Sequence, residues 1–244
     1  MKELDEIGIF DAASNTEYFN MLKTNGVTEK HLSALNQDDD SFSFKEFWTA
    51  AAKIDSSSIV GGGMTGDIDK CNTMNRMLME DMEVPSFLTK VNPKTVIDIG
   101  CGYGALKKFI PHSVDYWGFD VVFRTLGTEL YDGKNLPSDL PKDATTVIFN
   151  VCQHLTDKTI KNLLVKTSDC LIISFMTDFN KGYCDKHLVK YENSYYTYTC
   201  GQLVKVRNIA ESYDLLYSCG YLTYKYVLRF DGMVCMLCSR GKDA

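Results

Sequence analysis

The chain has 244 residues, with 26 Lys and Arg against 32 Asp and Glu, for a formal net charge of −6. With 45% hydrophobic and 12% aromatic residues it holds enough apolar side chain for a full core. That excludes disorder of the whole chain, and the length suits one α/β domain with additions. The acidic balance argues against a surface that grips phosphate backbones, so nucleic acid is disfavoured as a partner. Nine cysteines, an odd number lying mostly inside apolar runs, read as the thiols of a reduced, intracellular protein. The acidic N-terminus has no basic stretch leading into an apolar one, and no run approaches the ~18 apolar residues of a membrane span. The expectation is a cytoplasmic protein with no membrane partner.

In chain order, the polar stretches 38–43 and 55–58 read as loops. Residues 44–54 carry apolar side chains at helical spacing, and 67–82 place Ile68, Cys71, Leu78 and Met82 on one face of a second helix, which Pro85 is expected to close. A glycine-rich turn at 61–66 separates the two. Residues 1–90 are therefore expected to form a helical N-terminal cap or lid, and 91–244 the α/β domain.

From Lys94 the pattern changes. Residues 95–99 are a β-branched run that suits a central parallel strand buried on both faces. A helix is expected at 105–110, stopped by Pro111, and further strands at 115–122, 146–151 and 170–176, with a helix capped by Thr156 over 156–166. Strand alternating with helix gives a doubly wound, mostly parallel sheet. The tail differs: a helix at 208–219 ending on Gly220, then strands at 221–230 and 233–239 around Asp231-Gly232, an antiparallel hairpin with a type I′ turn.

The residues that carry chemistry begin with Asp98-Ile99-Gly100-Cys101-Gly102-Tyr103-Gly104. Glycines directly after a buried strand let the backbone turn sharply and approach a ligand, and the next helix offers free N–H groups at its N-terminus. The spacing is G-x-G-x-G and differs from the G-x-G-x-x-G of dinucleotide sites, which disfavours an NAD-dependent oxidoreductase. Asp120 ends the second strand about 20 residues beyond, where a carboxylate can take both hydroxyls of a ribose. Asp132 and Gly133 follow in a Asp-Gly-Lys-Asn-Leu-Pro stretch, and Asn150-Val151-Cys152-Gln153-His154-Leu155 ends the strand at 146–151. So few residues lie between Asp120 and Asp132 that the second crossover must be abbreviated, and Asp132 reads equally as a turn acid.

Together these stretches resemble the class I, Rossmann-like S-adenosylmethionine-dependent methyltransferases, over roughly residues 95–240. The resemblance implies a seven-stranded sheet whose last two strands are the C-terminal hairpin, and S-adenosyl-L-methionine as cofactor. It implies that Asp98, Gly100, Cys101, Gly102, Tyr103 and Gly104 hold the methionine end, Asp120 with Val121 the ribose, and Asp132 with Gly133 the adenine. Asn150 and Val151 would line the methyl-transfer centre, with His154 as the candidate catalytic base or, equally, a structural histidine. Transfer to an O or N nucleophile of a small-molecule acceptor is the expected activity. Methylation of protein or RNA is the alternative, as is a non-catalytic S-adenosylmethionine-binding partner subunit. The Pro-Pro-aromatic loop of exocyclic-amine DNA methyltransferases is absent after Asn150, and the chain has no Pro-Cys dipeptide for base C5 chemistry.

Cys235 and Cys238 have metal-like spacing, but one pair cannot complete a tetrahedral site and strand core is the simpler reading. The tyrosine-rich stretch 191–198, within an insertion at about 177–205, reads either as a substrate-facing lid or as an amphipathic strand pair. Phe44, Phe47 and Trp48 of the N-terminal layer would cover the acceptor.

Overall fold

The computed structural model describes residues 68–123, 126–131, 136–138, 140–178, 189–191, 194–199, 202–230 and 232–241. The expected helix at 44–54, its aromatic residues, the polar loops at 38–43 and 55–58, and the glycine turn at 61–66 lie outside the described residues, as do Asp132 and Gly133.

Seven strands form the main sheet: β1 (Thr95–Ile99), β2 (Asp115–Asp120), β3 (Thr128–Leu130), β4 (Thr145–Ile148), β5 (Cys170–Met176), β9 (Tyr221–Leu228) and β10 (Met233–Arg240). Their order is β3-β2-β1-β4-β5-β10-β9. The first five run parallel, and β10 is antiparallel to both of its neighbours. The order reverses between β1 and β4, so the loops leaving these two strands diverge and open a crevice at their C-terminal ends. A second, antiparallel sheet of β6 (Val189–Tyr191), β7 (Ser194–Thr199) and β8 (Gln202–Val206) interrupts the chain after β5. It takes up the tyrosine-rich stretch.

Both faces of the main sheet are covered. In β10 the side chains alternate between two clusters: Val234, Met236 and Cys238 join one, Met233, Cys235 and Leu237 the other. This is the period of two of an extended chain. Cys235 and Cys238, three residues apart, thus lie on opposite faces of the sheet and in separate cores. Against the first face pack α3 (Asp157–Lys166), through Ile160, Leu163 and Leu164, and α4 (Ile209–Ser218), through Leu215 and Leu216. Against the second pack α1 (Ile68–Asp81), through Met79, and α2 (Val84–Val91), through Val84, Phe87 and Leu88. Among the described residues, no helix is long and apolar enough to cross a membrane.

The caps follow sequence chemistry. Thr156 accepts from the Thr159 N–H and starts α3, and Asn208 and Glu211 form a reciprocal capping box on α4, whose chain then reverses at Gly220 with φ +81.

Five expectations are corrected. Pro85 opens α2, near whose start its missing N–H costs nothing, rather than closing α1, which already ends at Asp81. The helix expected at 105–110 is only a 3-10 turn, Leu106–Phe109, because the glycine loop and Pro111 leave too few residues to nucleate an α-helix. β2 stops at Asp120, whose own carboxylate captures the Val122 N–H at 3.1 Å and turns the chain out of the sheet. β4 stops at Ile148, since Asn150 sits at φ +60 and cannot continue a strand. The terminal hairpin has a three-residue loop, 230–232: Arg229 and Met233 still pair, Gly232 N–H donates to Arg229 O, and Gly232 takes φ +87. That is a longer turn than the two-residue type I′. The abbreviated second crossover is found as expected, β3 pairing parallel with β2 after a short connection with no helix among its described residues.

Phe87 is 1% exposed against the sheet. Phe87→Ala is expected to cost about 3–5 kcal/mol in urea unfolding, while Lys90→Ala on the exposed side of the same helix stays within about 0.5 kcal/mol.

Candidate functional site

The crevice is built where β1, β2 and β4 end. After Ile99 the chain reverses through three glycines at positive φ: Gly100 (+77°), Gly102 (+53°) and Gly104 (+75°). Two of them are needed for different reasons. A Cβ on Gly100 would overlap Val151 Cγ2 of the loop after β4, so the two loops touch through a missing side chain. A Cβ on Gly102 would meet nothing within 4 Å; the loop's open side is there.

Asp120 fixes this loop. It is 8% exposed, its Oδ2 accepts from Gly102 N–H at 2.8 Å, and its Oδ1 accepts from Val122 N–H. Gly100 and Cys101 N–H also donate to Phe119 O at 2.7 and 3.0 Å, stitching the loop to the end of β2. Val121 turns its side chain into the core, and Tyr103 and Gly104 are half-buried on the loop.

Asp98 points away from solvent, 3% exposed, with its Oδ2 accepting from Tyr116 Oη at 2.6 Å. The parallel register sets Asp98 beside Gly118, and Tyr116, two residues earlier on β2, is on the same face. Gly118 lacks a side chain where one would lie 3.1 Å from both Tyr116 and Cys101 Sγ, so its absence makes room for the ring. Burial raises the Asp98 carboxyl from 3.8 to about 7; the Tyr116 hydrogen bond opposes the shift and the neighbouring Asp120 charge adds to it. Burial and the adjacent acids likewise push the Cys101 thiol up to about 12, so it is a packed thiol and no nucleophile. Among the described residues no ion pair holds Asp98 or Asp120.

The loop after β4 supplies the other wall. Asn150 is exposed, its N–H donates to Ser174 Oγ of β5 at 2.7 Å, and its side-chain oxygen accepts from Gln153 Nε2. Val151 is half-buried against Gly100. Residues Cys152–His154 form a 3-10 turn whose three side chains are all buried, His154 at 3%. Gln153 Oε1 is buried with no hydrogen-bond partner among the described residues. The structure thus brings Asp98, the Gly100–Gly104 loop, Asp120, Asn150, Val151 and His154 to one end of the sheet.

Sequence reading missed Tyr116, Ser174 and Arg207. Tyr116 had a signal in its Tyr-Trp-Gly spacing opposite Asp98. Ser174 is an isolated hydroxyl inside an apolar strand. Arg207 is 2% exposed, and it donates from Nη1 to Cys152 O at 2.9 Å, from Nη2 to Leu155 O at 2.8 Å, and from Nε and Nη2 to Asp157 Oδ1 at 3.0 and 2.8 Å. Its partners are about fifty residues away in sequence, where no local pattern could reveal them. Burial opposes the charge on Asp157, but Arg207 and then Lys205 outweigh it and hold that carboxyl below its usual range.

No protein-family model matches the chain, and no curated protein sequence matches it. Solved structures do. The PH0226 protein of Pyrococcus horikoshii OT3 superposes with a TM-score of 0.57 at 11% identity, over 72% of this chain and 94% of that one. Magnesium protoporphyrin IX methyltransferase of Synechocystis PCC 6803 with bound S-adenosylhomocysteine gives 0.52 at 15% identity, over 71% and 87%. The 1,6-didemethyltoxoflavin-N1-methyltransferase of Burkholderia thailandensis, with its substrate and S-adenosylhomocysteine bound, gives 0.51 at 12% identity, over 94% and 92%. The chain has the fold of the class I S-adenosylmethionine-dependent methyltransferases. In that methyltransferase fold the glycine loop, Asp120 and the loop after β4 flank the point where the strand order reverses, so the candidate residues from distant parts of the chain share one crevice.

Two outcomes follow from this packing. Gly100→Ala is expected to destabilise the fold by about 2–4 kcal/mol, combining overlap with Val151 and a left-handed backbone. Adding Val151→Ala should restore only the overlap part, leaving about 1–2 kcal/mol in a double-mutant unfolding cycle. Because the native Asp98 keeps a proton that the unfolded chain has released, its contribution to stability is full below about pH 4 and is lost as pH rises towards 7. Asp98→Asn should flatten the stability profile across that window in urea titrations; an unchanged slope would assign the pH dependence to other groups.

Proposed function

We propose that the protein is an S-adenosyl-L-methionine-dependent methyltransferase acting on an O or N nucleophile of a small-molecule acceptor. One observation carries the reading: Asp120 grips the glycine loop at the end of β2, directly across the sheet's reversal point from the loop 150–155. The solved structures with this fold that carry S-adenosylhomocysteine support the choice of ligand.

The residues present suit that ligand. Each Asp120 oxygen accepts one backbone N–H and retains a lone-pair site for a hydroxyl donor, as a ribose requires. Gly102 leaves its side of the loop open to close backbone approach. Two buried carboxyls outside any described ion pair favour a ligand that brings positive charge. In this reading Asp98 and residues 100–104 hold the methionine end, Asp120 and Val121 the ribose, Asp132 and Gly133 the adenine, and Asn150 and Val151 the reaction centre. S-adenosylmethionine supplies an electrophilic methyl group on its sulfonium.

What the chain itself contributes is orientation and exclusion of water, which can supply a large share of the barrier reduction for a transfer of this kind. A hydroxyl acceptor also needs its proton removed, and His154 is the proposed base; an amine needs only its lone pair free. The net charge of −6 favours a small acceptor over RNA. Of residues 1–90, read above as a cap or lid, α1 and α2 pack on the main sheet, and the part ahead of α1, outside the described residues, is proposed as the cover over that acceptor.

Calorimetric titration tests the cofactor assignment. The wild type should bind S-adenosylhomocysteine and not NAD, and Asp120→Ala, losing charge-assisted hydrogen bonds, should bind at least about tenfold more weakly while remaining folded. NAD binding without S-adenosylhomocysteine binding would overturn the reading.

A further inference from the structure

Arg207 is the buried cation that the proposed chemistry leaves unused. Its backbone is locked to the end of β5: its N–H donates to Met176 O at 3.0 Å, its carbonyl accepts from Asp178 N–H at 3.0 Å, and it bridges Thr177 in parallel register. Its guanidinium passes over the Phe175 ring, 5.9 Å from the centroid, and reaches the loop after β4 from beneath. There it takes Cys152 O and Leu155 O, the carbonyls that bracket Gln153 and His154, and its remaining edge holds Asp157 in the first turn of α3. The fork of a guanidinium can reach three acceptors in fixed directions, which an ammonium cannot.

Segment 150–155 packs Cys152 and Leu155 into the core, and hydrogen bonds from neighbouring elements hold its two ends. Ser174 Oγ holds its start through Asn150 N–H. Arg207 holds its end through Cys152 O and Leu155 O. Asn150 at φ +60 and the poorly bonded 3-10 turn are conformations that persist only when the surroundings fix them. Arg207 directly follows β8, so the residue that fixes the loop is delivered by the inserted sheet.

We propose that Arg207 is a positioning residue for ligand binding: anchored on β5 and β8, it sets the conformation of residues 150–155 so that this loop meets the glycine loop at Gly100 and completes the cofactor crevice. This deepens the proposed function and rests on it. The alternative is a purely structural cation that stabilises the fold and leaves the crevice unchanged.

S-adenosylhomocysteine is the probe, titrated by calorimetry into variants whose near-ultraviolet circular dichroism matches the wild type, with amide hydrogen exchange followed across 150–157. Arg207→Met and Arg207→Lys are both expected to bind at least about tenfold more weakly and to exchange faster at 152–155, since neither can replace the fork. If Arg207→Met fails to fold, Arg207→Lys carries the test. Wild-type affinity and unchanged exchange at 152–155 in a folded Arg207→Lys, with lower thermal stability alone, would overturn the positioning role. Failure of the wild type to bind would overturn the proposed function, and the positioning role with it.

Discussion

The crevice depends on a single carboxylate. Asp120 accepts from Gly102 on one oxygen and from Val122 on the other, so one side chain holds the reversal after β1 and its own departure from β2. An ionised acceptor of backbone N–H groups forms the stronger kind of hydrogen bond, and here it is 8% exposed, where water competes poorly. With the loop so fixed, Gly100 can approach Val151 without a side chain between them. The ends of β1, β2 and β4 become one rigid rim.

This rim is acidic while the layer below it is basic. Asp98 and Asp120 line the glycine-loop side, and Arg207 and Lys205 lie under the other, sharing Asp157, with Lys205 at 3.8 Å. Arg207 being buried, its charge can be tolerated only because its N–H groups meet carbonyls and a carboxylate in good geometry. The two carboxyls on that side have no cation beside them among the described residues, burial favouring the protonated form of Asp98, and the cation that shapes the opposite wall is withdrawn from contact.

The parts of this arrangement legible in the sequence were those set by local chemistry. A β-branched run that includes Asp98 and leads into three closely spaced glycines can be little other than a buried strand and a tight turn. Asp120 was found because its distance along the chain follows from the lengths of a crossover and a strand. Thr156 was readable as a cap. Element ends were less legible: β2 stops where the Asp120 carboxylate captures a backbone amide, and β4 where Asn150 adopts positive φ, events decided by one side chain and not by a periodic pattern. The 3-10 turn after the glycine loop escaped notice because apolar spacing alone does not reveal a helix too short to nucleate.

Arg207 was illegible for a deeper reason. In sequence it follows a strand of alternating apolar residues and Lys205, and reads as one more solvated cation at a strand end. Its role arises from the parallel bridge to Thr177, which turns the guanidinium inward at the carboxyl ends of β4 and β5. Sheet topology, and not composition, makes a surface residue type into a buried one. The same topology explains why an insertion can be accommodated after β5 without loosening the domain. β8 returns the chain to the sheet beside Met176, the capping box on Asn208 starts α4 at once, and Arg207 at that junction also bonds the loop facing Gly100. The end of the inserted sheet and the loop after β4 are thereby joined through one buried side chain.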